Sequence, residues 1–131
     1  MNELILDTSV YSGFKLGVAR ALTPLRAAHE IHVPLIVLAE LLAGFAAGTR
    51  AERNRDDLTR FMASPRVHLL VPDEKTAQHY AAIYADLRRG GTPIPTNDMW
   101  IAALAIQHRL PLLSFDSHFA SVPKIELIAS K

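Results

Sequence analysis

The stretch Leu4-Ile5-Leu6-Asp7-Thr8-Ser9 decides the fold. Three consecutive large apolar side chains leave no face for water, so the run reads as a strand buried on both sides that Asp7, Thr8 and Ser9 end in a turn. Such strands belong to parallel sheets covered by helices on both faces. Asp7 then stands at a strand's carboxyl end, the edge where open parallel sheets bind their ligands.

Outward from this strand, helix and strand signals alternate. From Val10 to Ala28 the apolar positions Leu16, Ala19, Leu22 and Leu25 recur three apart, which predicts one helix interrupted around Gly17 and Pro24. Ile31 to Leu35 reads as a second strand. Ile36 to Ala47, closed by Gly48, reads as a helix apolar nearly all round. Thr49 to Ala63 sets Arg50, Glu52, Arg53, Arg55, Asp56, Asp57 and Arg60 against Leu58, Phe61 and Met62, the pattern of an exposed amphipathic helix. Val67 to Val71 is a third strand ahead of Pro72. Asp73 opens a helix whose Ala77, Tyr80, Ala81, Tyr84 and Leu87 share one face and which Gly90 and Gly91 end. Thr92 to Asn97, with two prolines, reads as a loop. Asp98 to His108 is a further apolar helix, and Leu110 to Ser114 and Ile125 to Ile128 complete the set as short strands. The expected class is α/β: one domain over residues 1–131, with a parallel sheet of about five short strands and helices on both faces.

Composition bounds the chemistry. With 131 residues, 50% hydrophobic and 21% charged, the chain suits one packed core and excludes a long disordered tract. The absence of cysteine rules out disulfides, thiolate metal sites and a cysteine nucleophile, and it suits a reducing compartment. Any metal must sit on oxygen or imidazole. The opening residues carry an acid at Glu3 and no basic leader, so export is not expected. Pro34 and Glu40 break the longest apolar stretch, Val33 to Ala47, well short of the roughly 18 residues a membrane span needs. A cytoplasmic protein with no membrane partner is the expectation. Lys plus Arg number 14 and Asp plus Glu 13, so net charge does not argue for nucleic acid.

Four acids stand apart from the surface charge. Asp7 and Asp116 each follow a strand, a place where Asp also serves as an ordinary turn or cap residue. Glu40 is the only charge between Val33 and Ala47 and has no Lys or Arg three or four residues away; Ile36, Val37, Ala43 and Gly44 stand there. Burial of an unpaired carboxylate costs several kcal/mol, which favours a site over a structural role. Asp98 opens an apolar helix, where the helix dipole alone would welcome it and Thr96 or Asn97 could act as cap. On one parallel sheet, helices that follow strands begin on the side where the strands end, so all four acids can converge. Gathered carboxylates repel one another unless a cation sits among them. Oxygen ligands favour Mg²⁺ or Mn²⁺, and an ion held that way activates water and steadies a phosphoryl transition state.

These residues carry a resemblance. LILDTSVYSGF at the start, VLAELLAGF in the second helix, PIPTNDMWIAALA before and within the last helix, and LPLLSFDSHF near the end resemble the ordered acidic motifs of PIN-domain ribonucleases, in particular the VapC toxins of toxin-antitoxin pairs. The match spans almost the whole chain. The resemblance implies a Mg²⁺- or Mn²⁺-dependent endoribonuclease with Asp7, Glu40, Asp98 and Asp116 as its catalytic, metal-holding cluster and RNA as substrate. It implies that Ser9, Asn97 and Ser114 line the site, Ser114 standing where the family more often has Thr. It also implies homodimers, products with a 5′-phosphate and a 3′-hydroxyl, and a cognate antitoxin whose tail covers a hydrophobic groove. Tyr80, Tyr84, Phe45 and the Thr49–Ala63 helix are the apolar surface expected to serve assembly.

Other readings fare worse. A haloacid-dehalogenase-type phosphatase needs a second Asp where Ser9 stands, and neither GxGxxG nor GxxxxGKS occurs. The alternatives kept are a PIN-like RNA-binding module and a housekeeping nuclease without a toxin role. Arg50, Arg53, Arg55 and Arg60, and Arg88 with Arg89, could meet phosphates but read mainly as solvated faces among acids. The histidines show no HxH or HExxH spacing, and His118, two residues past Asp116, is the one singled out.

Overall fold

The computed structural model describes residues 2–128; Met1 and residues 129–131, part of the single domain expected from the sequence, lie outside that range. The elements run β1 (Glu3–Leu6), α1 (Thr8–Lys15), α2 (Ala19–Ala27), β2 (Glu30–Pro34), α3 (Leu35–Ala47), α4 (Ala51–Met62), β3 (Val67–Leu70), α5 (Glu74–Gly90), α6 (Thr96–His108), β4 (Leu112–Leu113) and β5 (Leu127–Ile128). A short 3₁₀ turn, Ser117–Ser121, lies between β4 and β5. The five strands pair in parallel in the order β3-β2-β1-β4-β5.

Burial explains this order. Leu4, Ile5 and Leu6 of β1 and Leu112 and Leu113 of β4 are buried, so the most apolar strands occupy the centre of the sheet. Because β1, β2 and β3 progress one way and β4 returns to the other side of β1, right-handed crossovers place α1 to α4 on one face and α5 and α6 on the other. The direction of winding reverses between β1 and β4. That is the switch point at which a crevice opens beyond the strand ends.

Three expectations need correction. The helix expected to run interrupted from Val10 to Ala28 is two helices, because Gly17 adopts a left-handed φ of 75° that turns the chain between α1 and α2. Thr96 and Asn97, assigned to a loop, form the first turn of α6 after Pro95, where backbone N–H groups need no helical acceptor. Helix α3, apolar nearly all round as expected, buries only Val37 and Leu41 fully and leaves Leu35 and Leu42 exposed. The exposed large apolar side chains include Leu35 and Leu42 of α3 and Leu16, with Leu69, Val71, Tyr84 and Leu127 elsewhere, and none lies on α4, whose outer side is charged. Tyr84 is exposed, but Tyr80 packs against Trp100 at a ring separation of 4.6 Å, and Phe45 is half-buried.

No helix among the described residues is long and apolar enough to cross a membrane. The basic residues behave as a solvated face where they have partners: Arg60 pairs with Asp57, which Lys15 also meets at 2.8 Å, and Arg89 pairs with Asp86.

Candidate active site

Register builds the centre of the site. Leu6 pairs with Leu113 across β1 and β4, so the next residues, Asp7 and Ser114, emerge side by side at the switch point. The Ser114 hydroxyl donates to Asp7 Oδ2 at 2.5 Å, and the Ser9 hydroxyl donates to Asp7 Oδ1 at 2.6 Å. Oδ1 also accepts the Val10 backbone N–H at 3.2 Å, which makes Asp7 the N-cap of α1. Asp7 is buried, 4% exposed as a residue. Burial pushes its pKa up against the opposing pull of these hydrogen bonds, and the charge of Asp116 adds to the rise. The turn role and the site role are thus held by one residue.

Ser114 links Asp7 to Asp116. While donating to Asp7, its oxygen accepts the backbone N–H of Asp116 at 2.9 Å. Asp116 Oδ1 in turn accepts the backbone N–H of His118 and caps the 3₁₀ turn. Ser9 makes a matching link, accepting the Phe115 backbone N–H at 3.2 Å. The two serines tie β1 and β4 together just beyond their last paired residues.

Glu40 comes from α3, directly after β2, and Asp98 from the start of α6, the helix directly before β4. Glu40 is half-buried and accepts the Thr8 hydroxyl at 2.6 Å on Oε1 and the Asn97 amide at 3.3 Å on Oε2. Its isolation in the sequence reflects a place on the cleft rather than enclosure within the core, and neither contact neutralises its charge. Asp98 sits in the first turn of α6, a helix without a side-chain cap at Pro95. Neither Thr96 nor Asn97 is the cap the sequence allowed; Asn97 reaches Glu40 instead. Burial raises the Asp98 pKa, its hydrogen bond with His118 opposes this, and the charges of Asp116 and Glu40 raise it further. Asn97, its neighbour in α6, ties Asp98 to Glu40, and His118 ties it to Asp116.

His118 Nδ1 lies 2.9 Å from both Asp98 Oδ2 and Asp116 Oδ1. The hydrogen bond with Asp98 holds the imidazole pKa above its ordinary value. Asp98, Asp116 and His118 each present a ligand atom within 4.8 Å of the other two. A desolvated carboxylate beside two further carboxylates, with donor atoms at that spacing, fits a divalent cation. The structure thus gathers all four acids and the three lining residues at one end of the sheet. Thr8 is the contributor the sequence reading missed; its signal was a hydroxyl directly after Asp7, on the helix turn facing α3.

Acids from four separate segments, gathered at the switch point of a parallel sheet, define the chain as an α/β protein with a candidate cation-binding site. The family model for the PIN domain matches residues 4–125, and the chain belongs to the PIN-domain family. It is 31% identical to ribonuclease VapC4 of Mycobacterium tuberculosis over 129 residues, covering 98% of this chain and 97% of that one. Ribonuclease VapC5 of the same organism is 30% identical over 120 residues, covering 90% and 86%. Among solved structures, the DNA-bound VapBC of Salmonella typhimurium superposes with a TM-score of 0.87 at 26% identity, covering 98% of each chain.

Proposed function

We propose that this chain is a divalent-cation-dependent endoribonuclease of the VapC type, a single-domain toxin held inactive in the cytoplasm by a cognate antitoxin. The observation that carries the reading is the convergence of Asp7, Glu40, Asp98 and Asp116, from four separate segments, at one end of the sheet. The ribonuclease names of the relatives and the VapBC complexes among similar structures support it.

Mg²⁺ or Mn²⁺ bound there would activate water and stabilise the extra charge of a phosphoryl transition state. Asp98 and Asp116 would hold the ion together with Asp7. The hydroxyls of Ser9 and Ser114 fix both oxygens of Asp7, so its carboxylate is presented in one orientation. Thr8 and Asn97 do the same for Glu40 while leaving its charge uncompensated. Attack of water on phosphorus breaks the bond to the 3′-oxygen and leaves a 5′-phosphate and a 3′-hydroxyl.

Two surfaces serve assembly in this account. A groove of about 270 Å³ among α1, α3 and α4, lined by Tyr11, Leu16, Leu41 and Phe45, would take an apolar segment of the antitoxin. The exposed Leu35 and Leu42, two turns apart on α3, would pair two copies of the chain.

Induced expression in a bacterial host tests the toxin role. Wild type should arrest growth, and Asp98→Asn, produced at the same level, should not. Arrest by both would replace the enzyme with an RNA-binding module whose acids are structural; arrest by neither, with cleavage intact in vitro, would leave a housekeeping nuclease.

A further inference from the structure

The histidines of this chain are not equivalent. His32 faces Glu3 at 3.0 Å and His68 faces Glu30, each imidazole matched to a single carboxylate on the sheet. His118 instead stands between two. Among the described residues, only Asp98, Asp116 and His118 bring three potential ligand atoms within 4.8 Å of one another.

One ring N–H can complete a hydrogen bond with only one of two carboxylates at a time, and here both lie at the same 2.9 Å. A cation serves all three donors together. In an octahedral shell with bonds of about 2.1 Å, adjacent ligand atoms stand about 3.0 Å apart, so Nδ1 already holds a suitable spacing from each carboxylate oxygen. The ring is also held in place. Asp116 caps the turn through the His118 backbone N–H, and the next residue, Phe119, is fully buried, so the imidazole hangs from a segment anchored on both sides.

We propose that His118 is a nitrogen ligand of the cation held by Asp98 and Asp116, giving the site a mixed oxygen–nitrogen donor set that favours Mn²⁺ over Mg²⁺. This inference rests on reading the acidic cluster as a cation site. It revises the oxygen-only set expected from the sequence: Mg²⁺ keeps to oxygen donors, whereas imidazole suits first-row transition ions.

The test uses the full chain and Mn²⁺ itself. Electron spin-echo modulation of the Mn²⁺-loaded wild type should show coupling to a directly bound imidazole nitrogen. His118→Gln should lose that coupling. By calorimetric titration the variant should bind Mn²⁺ about tenfold more weakly, with Mg²⁺ affinity changed less than about twofold. Mn²⁺ binding without nitrogen coupling in wild type would overturn the proposal, as would coupling that survives in the variant. Tighter binding of both ions by His118→Gln would also overturn it, making the imidazole a counter-ion that the metal displaces. A wild-type chain that binds neither ion at millimolar concentration would bring down the cation site itself, and this ligand with it.

Discussion

Replacing Asp7 by Asn should stabilise the cation-free protein while abolishing cleavage. The introduced carboxamide keeps an Oδ1 that can accept from Val10 N–H and the Ser9 hydroxyl, so the cap of α1 survives. It exchanges the acceptor facing Ser114 for an amide donor, and Ser114 Oγ is itself able to accept. Weakening that one charge-assisted bond costs about 1 kcal/mol. The gain is removal of a charge on a buried residue, whose pKa stays raised even after its hydrogen bonds have acted. Because that raised pKa is the balance left after the hydrogen bonds have acted, removing the charge should make the variant more stable than wild type at neutral pH.

The pH dependence follows from the direction of the shift. A carboxyl raised in the folded state binds its proton more tightly there than in the unfolded chain, so wild-type stability falls as pH climbs from the ordinary value of 3.8 through the raised one. The two proteins should therefore converge toward pH 3.8 and separate above it. Cation works against that difference: at tenfold above Kd it adds about 1.4 kcal/mol to wild type and little to the variant. Urea denaturation in chelator, repeated from pH 4 to 8 and then with Mg²⁺, measures all of this. An Asp7→Asn variant less stable than wild type at pH 7.5 in chelator, by a margin that does not change with pH, would mean that Asp7 is only a helix cap.

Further predictions concern the framework around the site. Tyr11 has a buried hydroxyl without a hydrogen-bond partner and a pKa pushed up to about 12, so Tyr11→Phe should be neutral or stabilising by up to about 1 kcal/mol in urea denaturation. Gly13→Ala would set a Cβ 2.9 Å from the Phe115 ring, which the Arg20 guanidinium covers at 4.0 Å. It should cost about 1–3 kcal/mol, and because Phe115 lies between Ser114 and Asp116, cleavage should fall as well. Leu35→Glu combined with Leu42→Glu should turn a homodimer into a monomer by light scattering without loss of helicity.

The central strand and Glu40 were legible because each breaks a local pattern: Leu4 to Leu6 allow no exposed face, and Glu40 is a lone charge in an apolar helix, whereas Asp7, Asp98 and Asp116 occupy ordinary turn and cap positions and stood out only when placed together at one end of the sheet. An apolar helix can be inside the core or waiting for a partner, and sequence periodicity does not distinguish the two, so the exposure of Leu35 and Leu42 was out of reach. The break at Gly17 was visible only as a weakness, since its left-handed turn depends on how α2 packs back on α1. Ser9, Asn97 and Ser114 were reached through the resemblance, and His118 by its place two residues past Asp116, whereas the contacts of Thr8 with Glu40 and of His118 with Asp98 depend on distances between segments that no spacing along the chain encodes.

Cleavage of RNA by the purified chain tests the central claim most directly. With Mg²⁺ or Mn²⁺ present, wild type should cut a target RNA to products carrying a 5′-phosphate and a 3′-hydroxyl. Excess chelator should stop the reaction, readdition of cation should restore it, and Asp98→Asn should remain inactive throughout. Cleavage that persists in excess chelator, or products ending in a 2′,3′-cyclic phosphate, would contradict the account.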